Sequence, residues 1–421
     1  MNIFFSGLGG VGMGPLAEIA RDAGYTVFGS DIEESLMTTQ LQQGGIDVHI
    51  GQQDGSFLQT THDHSEIDWF VYTPALSPDH PEVVLAKKLG IKTAKRGEYL
   101  AHFIADKQLK LIAISGTHGK TTTAGMMIWT LQQLGVPISY SIGTTISFGP
   151  SGRYDAMSEY FVYECDEFDR NFLLFSPHVA LISSIDYDHP DTYPTQDEYT
   201  SAFRQFVHQS AMTILWQKDA DYITTREPSA WSLQDNEVLD LRIAGAHNRR
   251  NGTLVLKALE RLHIGESKDI RLSLESFPGT DRRFEKLDNN LYSDYAHHPV
   301  EIAATLQLAR EISDHVVLVY QPHQNIRQHE IKDDYTDQFE LAGEIYWLPT
   351  YLSREDASLV ILQPGELITH ITNQDRIHVA ALDDALWDTI EDARNNGSLV
   401  IGMGAGTIDA WLRSHVAKNV S

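Results

Sequence analysis

A lysine, four threonines and two glycines stand together at Gly116-Thr117-His118-Gly119-Lys120-Thr121-Thr122-Thr123. The apolar run LKLIAIS before them reads as a strand, and the stretch from Lys120 to Leu134 reads as a helix. Ala124, Met127, Ile128, Leu131 and Leu134 recur at helical spacing, so one helix face belongs to a core, and Gly135 and Pro137 end it. A helix that opens after a glycine turn presents unpaired backbone N–H groups and the positive end of its dipole, which together trap phosphate. Lys120 adds a point charge for the terminal phosphates of ATP, and Thr121 a hydroxyl for Mg2+. The spacing is shorter than in the common phosphate loop G-x-x-x-x-G-K-[ST], because Ile114 stands five residues before Gly119.

Mg2+ prefers oxygen ligands, and two segments offer them. Glu164 follows the strand EYFVY, with Asp166, Glu167 and Asp169 close behind, and His189 follows VALISSIDYD. In a parallel sheet, ligands gather at the carboxyl ends of strands, so these residues are expected to converge on Lys120. A second glycine pattern, Gly7-Leu8-Gly9-Gly10-Val11-Gly12, follows the strand NIFFS, and Asp31 ends the next strand. The spacing satisfies G-x-G-x-x-G, but such a loop binds any diphosphate at a helix N-terminus. An NAD-dependent dehydrogenase would leave the Lys120 loop without a role.

The elements that must position these residues alternate between strand and helix, which implies an α/β fold with mostly parallel sheets. Three blocks emerge: residues 1–106, 107–285 and 286–421, with a Pro/Gly- and charge-rich boundary at FPGTDRRFEKLDNN. The first and third read as Rossmann-like domains and the second as an ATPase-type domain. Formal charge is −26, which argues against general nucleic-acid or anionic-membrane binding and requires any polyanion to be held locally. Cys165 is the single cysteine, so no internal disulfide forms and a cytoplasmic setting is expected. No apolar run of about 18 residues suggests a membrane span. MNIFFSGLGG lacks the basic start of a secretion signal.

GTHGKTTTAGM, ECDEFD, YDHPDTY, GAHNRRN, RRFE, DYAHHP and QPH follow one another along the chain. In that order they resemble the Mur ligase family, cytoplasmic ATP-dependent enzymes that build the peptidoglycan peptide. The resemblance implies three α/β domains, holding in turn a UDP-sugar, ATP with metal, and the incoming amino acid, with the third closing over the site. It implies that Gly7, Gly9, Gly10, Gly12, Asp31 and Thr73 serve the UDP-sugar. Gly116, Thr117, His118, Gly119, Lys120, Thr121 and Thr122 would cradle ATP. Thr121 and Glu164 would bind one Mg2+, and His189 would serve a second metal site. Asn248 and Asn251 match H-N-x-x-N, which begins at His247, and Asn248 would read the adenine. Arg283 would reach the nucleotide phosphates, Asp294 the ribose, and His297, His298 and Arg327 the amino-acid side.

The opening GLGGVGMGPLAEIA resembles both the family members that join L-alanine to UDP-N-acetylmuramate and those that attach a whole tripeptide to it, while the QPH and RRFE segments and the ending MGAGT resemble the L-alanine branch. GTHGKTTTAGM resembles more closely those that attach a whole tripeptide to the same sugar. The implied chemistry activates the lactyl carboxylate as an acyl phosphate, which an amine then attacks. In the L-alanine branch the pattern is Q-P-H-R-x-x-R, whereas here it is QPHQNIR, with Gln324 where an arginine is usual and Arg327 retained. A neutral amide does not replace a bidentate guanidinium. The added group is therefore the open part of the reading, and a nucleotide-sugar-binding protein without turnover stands as the alternative to an enzyme.

Overall fold

The computed structural model describes residues 1–189, 192–353 and 355–420; of the YDHPDTY segment, Pro190 and Asp191 lie outside the described residues. Three sheets follow one another along the chain, each built mainly of parallel strands. The first contains β1 (Asn2–Ser6), β2 (Thr26–Asp31), β3 (Asp47–Ile50), β4 (Trp69–Tyr72) and β5 (Lys92–Lys95), in the order β3-β2-β1-β4-β5. Strand β1 is central and apolar without alternation, as a strand covered on both faces must be. Phe4 packs with Leu58, Phe70 and Val83 on one side, while Ile3 and Phe5 join the larger core on the other. The order reverses direction at β1, so the glycine loop that follows it opens at a topological switch point.

The second sheet holds β6 (Lys110–Ser115), β7 (Ile138–Ser141), β8 (Gly152–Arg153), β9 (Tyr160–Glu164), β10 (Val179–Ile182), β11 (Thr213–Trp216) and β12 (Ala230–Leu233). Their order is β12-β11-β10-β6-β9-β7-β8, with only the β7–β8 pair antiparallel. Strand β6 lies between β9 and β10, with Ile114 opposite both Glu164 and Leu181. The loops after β6, β9 and β10 therefore leave the same edge, which places the Lys120 turn, the acids after Glu164 and the segment leading to His189 side by side.

The helix Lys120–Gln133 is buried more completely than a one-faced pattern predicts. Beyond Ala124, Met127, Ile128 and Leu131, it also buries Thr123, Met126 and Thr130. The reason is a second neighbour: the Trp129 indole donates to the Ser273 carbonyl at 2.9 Å, at the end of the helix Ser267–Glu275. The sheet covers one side of the Lys120–Gln133 helix and this helix another.

The third sheet contains β13 (Glu285–Asp288), β14 (Leu291–Asp294), β15 (Val316–Tyr320), β16 (Glu344–Trp347), β17 (Ile377–Val379) and β18 (Leu399–Met403), in the order β13-β14-β18-β15-β16-β17. Separate apolar clusters cover it, one around Tyr320, Tyr335, Phe339 and Trp347 and another around Trp387, Ile390 and Leu412.

By its contacts the chain forms two compact units. One comprises residues 1–241 and 251–278, the other residues 242–250 and 279–421. The first two sheets share a unit because a single apolar core runs from Ile3 to Ile223. Polar contacts add to it: the Gly152 N–H donates to Glu18 at 3.0 Å, and the Tyr154 N–H to Asp22 at 3.3 Å. No helix among the described residues is long and apolar enough to cross a membrane.

Candidate active site

The glycine loop after β1 is shaped by its own neighbours. Gly7 sits at φ +90°, and a Cβ there would come 2.7 Å from the Thr73 methyl at the end of β4. Asp31 turns inward, and its carboxylate accepts the Gly9 N–H at 2.6 Å. The acid expected to face a ligand thus also holds the loop. Gly12 precedes the helix Met13–Asp22, whose N-terminus carries no side-chain cap; its Met13 and Gly14 N–H groups both donate to the Gly10 carbonyl, at 3.0 and 3.2 Å.

The second loop is clamped to the segment after β10. The Thr117 N–H donates to the Ser184 carbonyl at 2.9 Å. The Thr117 hydroxyl donates to the Asp186 carbonyl at 2.8 Å and shares a 2.7 Å hydrogen bond with Tyr199. The His118 N–H donates to the Ser184 hydroxyl at 3.0 Å, and the Ser183 hydroxyl donates to the His118 carbonyl. Gly119, at φ +84°, is the residue before the helix, and Asn251 lies against it. The Thr123 N–H is bonded to the Gly119 carbonyl at 2.9 Å, so the helix begins its ladder there. The N–H groups of the preceding turn point off the helix end. Thr122 lies in this turn, partly exposed.

Lys120 arches back over the loop. Its ammonium donates to the Gly116 carbonyl at 2.6 Å and to both Glu167 oxygens, at 3.1 and 2.8 Å, and lies 3.8 Å from Asp166. Burial works against its charge, yet Glu167 and Asp166 hold it above the usual lysine range. Burial pushes the Glu167 carboxyl up to about 7 against the pull of Lys120. For Asp166, burial is outweighed by Lys120, which holds the carboxyl below its ordinary value.

The Thr121 hydroxyl donates to Glu164 at 2.6 Å, and the second Glu164 oxygen accepts the Gly143 N–H at 2.9 Å. His189 instead meets Glu167, with Nε2 3.9 Å from the carboxylate, and its backbone takes a left-handed φ of +58°. Asp166, Glu167 and His189 each offer a ligand atom, all within 4.8 Å of one another. These oxygen-rich groups fit a hard divalent cation. Glu167, fully buried, is the residue that sequence reasoning named only as a neighbouring acid. Its signal lay in the run Glu-Cys-Asp-Glu, which does not reveal which acid turns inward.

In the other unit, Asn248 opens the helix Ala246–Leu262, with its amide bonded to the Ala244 carbonyl at 3.0 Å. Burial pushes the neighbouring His247 down to about 4. Arg283 lies over the Tyr295 ring. Both oxygens of Asp294 are engaged, one by the Phe284 N–H at 2.7 Å and the other by the Ala296 N–H at 2.8 Å. His297 is pushed by burial down to about 4, and its Nε2 lies 2.9 Å from the Arg327 guanidinium. In the neutral ring that nitrogen is the acceptor, so its lone pair is already used. His298 precedes the helix Pro299–Ile312, its N–H facing Glu301 at 3.4 Å. Gln324 has φ +59°, and the next two N–H groups donate to Glu355 at 3.0 and 3.3 Å. A carboxylate therefore stands beside the position where an arginine is usual.

A switch-point glycine loop, a clamped Gly-Lys-Thr turn and converging acids define a nucleotide-dependent enzyme of the α/β class. The chain matches the Mur ligase family catalytic domain over residues 2–108 and the Mur ligase middle domain over residues 114–264. It is 31% identical to the UDP-N-acetylmuramate–L-alanine ligase of Gloeobacter violaceus over 96% of this chain and 93% of that protein. A ligase of the same name from Caldicellulosiruptor bescii is 29% identical over 99% and 98%. The chain belongs to the Mur ligase family. The fold is shared with UDP-N-acetylmuramate–alanine ligase from Thermotoga maritima, at TM-score 0.78 and 23% identity over 100% of this chain and 99% of that one.

Proposed function

We propose that this protein is an ATP-dependent ligase that joins L-alanine to the lactyl carboxylate of UDP-N-acetylmuramate, a cytoplasmic step of peptidoglycan precursor synthesis. The observation that carries the reading is near-full-length similarity to relatives of that name, at about 30% identity. Residues 1–106 serve the UDP-sugar, 107–285 the ATP and 286–421 the amino acid.

When bound, ATP with Mg2+ supplies the phosphoryl group that activates the carboxylate and part of the positive charge that lets two anions meet. Lys120 and the N–H groups of its helix hold the terminal phosphates, and Asn251 backs the loop at Gly119. Thr121 and Glu164 offer one set of metal ligands, and Glu167, Asp166 and His189 another. The rigid loop contributes position more than chemistry, which is what in-line phosphoryl transfer demands. Arg327 meets the carboxylate of the incoming amino acid and holds His297 in its neutral form.

Gln324 beside Glu355 favours a second reading, in which a whole peptide is attached to the same sugar. Phosphate release measured with UDP-N-acetylmuramate, ATP and a range of amino acids and peptides separates the two. L-Alanine is expected to drive turnover, a chelator to stop it, and Lys120→Ala to lower it by about a hundredfold or more. Release driven only by a tripeptide would establish the second reading. No release with any acceptor would leave a binding protein, and undiminished turnover of Lys120→Ala would refute the assignment of the loop to ATP.

A further inference from the structure

We propose that Arg96 is a substrate-positioning residue that grips an oxyanion of the nucleotide sugar, either its diphosphate or its lactyl carboxylate. The inference rests on the function proposed above and assigns a residue outside both glycine loops.

Arg96 opens the helix Arg96–Asp106, directly after β5. Its guanidinium lies against Gly12, the last glycine of the first loop, where a Cβ would overlap the arginine. Gly97 is equally confined, by the Asn171 side chain. The start of this helix is thus wedged between the glycine loop and the segment after β9, and Arg96 has a fixed seat. It lines a pocket of about 170 Å³ together with Gly12, Ser141, Gly143, Glu164 and Asp166.

That pocket joins the two chemistries of the unit. Gly12 belongs to the loop proposed for the diphosphate, and Glu164 carries the Thr121 hydroxyl at the phosphate loop. An acceptor spanning from the first loop to the ATP site would find this pocket between them, since its lining includes Gly12 and Glu164. The Arg96 Nε is buried and has no hydrogen-bond partner. A guanidinium is a fork of N–H donors with no acceptor of its own, and a buried donor left unpaired is rare in a native interior. Glu164 already accepts from Thr121 and Gly143, and Asp166 lies within reach of Lys120. An arriving carboxylate or phosphate would be repelled by those acids and drawn to Arg96. Among the lining residues Arg96 is the one Lys or Arg, facing the charges of Glu164 and Asp166, and so it is the group that would draw an anionic acceptor.

The test measures dissociation constants of UDP, UDP-N-acetylglucosamine, UDP-N-acetylmuramate and ATP by calorimetry, with the full chain, its Arg96→Met variant and its Arg96→Lys variant. Arg96→Met is expected to weaken UDP-N-acetylmuramate by about tenfold or more, with ATP unchanged within about twofold, and Arg96→Lys to fall between, since it keeps charge but not the fork. Equal loss for UDP and UDP-N-acetylglucosamine identifies the diphosphate. Loss confined to UDP-N-acetylmuramate identifies the carboxylate. Unchanged affinity for that sugar in either folded variant overturns the proposal, as does an equal loss for ATP, which marks a structural role. Should Arg96→Met fail to fold, Arg96→Lys decides by the same criteria. Failure of the unaltered protein to bind UDP-N-acetylmuramate would defeat the functional reading itself, and so differs from failure of the Arg96 assignment.

Discussion

Replacing Gly116 by alanine tests whether the phosphate loop is set by its contact with the segment after β10. Gly116 has φ +126°, and an added Cβ would lie 2.6 Å from the Ser184 carbonyl oxygen, 2.7 Å from the Ser183 hydroxyl and 3.0 Å from the Ser184 nitrogen. A left-handed backbone costs an L-residue about 1–2 kcal/mol. The Ser184 carbonyl cannot retreat freely, because it accepts the Thr117 N–H, so the overlap adds about 1–3 kcal/mol as overpacking. The total of about 2–5 kcal/mol should lower the thermal midpoint by about 5–10 °C. Gly135→Ala is the matched control: it also has a positive φ, +70°, but nothing stands within 4 Å of its added Cβ. It should show the backbone part alone, about 1–2 kcal/mol. Scanning calorimetry gives both midpoints, and ATP titration should show weakened binding for Gly116→Ala and unchanged binding for Gly135→Ala. Equal midpoints for the two variants, or unaltered ATP affinity in Gly116→Ala, would refute the argument.

Two further expectations follow from burial and charge. Glu311 accepts from Arg249 at 2.9 and 2.7 Å and from the Gly245 N–H at 3.0 Å, and the Arg249 hydrogen bonds foremost hold its carboxyl down at about 2. A depressed carboxyl stabilises the fold above the unfolded value near 4.5 and loses that contribution as pH falls toward 2. Glu311→Gln should therefore be less stable by about 1 kcal/mol at neutral pH, discounted for the pair's partial exposure, and the gap should close on acidification. A gap that stays constant with pH would contradict this. Cys165 is fully buried and burial pushes its thiol up, so a disulfide reagent should react at least about a hundredfold faster after unfolding than before. Prompt reaction of the native protein would show that the end of β9 is open.

The parts of this protein that sequence reasoning reached are those coded over short distances. The Gly116–Thr121 turn carries its own chemistry within six residues, and the strand and helix beside it follow from periodicity. The convergence of Glu164 and His189 on the same sheet edge follows from parallel topology, which fixes edges but not partners. Which acid faces Lys120 is decided by tertiary packing: Asp166, Glu167 and Asp169 are alike in sequence, and only the structure turns Glu167 fully inward. Arg96 belongs to no motif, and its seat depends on Gly12, far away in the chain. That the first two sheets share one unit rests on contacts such as Glu18 with Gly152, which no local pattern announces. Gln324 was visible as a departure, whereas Glu355 beside it was not, because its place depends on how a distant loop returns.

The uninterrupted core from Ile3 to Ile223 gives the first unit the properties of a ruler. On the proposed function, a nucleotide at the first glycine loop and a triphosphate at the second would both be seated on that one core, and their separation would be set by it. Selection among acceptors would then include a measurement of reach: a sugar whose acidic arm is too short would fall shy of the phosphate, and one too long would overshoot it. Attempts to retool such a ligase for other glycans would need to alter the spacing between the sheets, a harder task than reshaping the walls of a pocket.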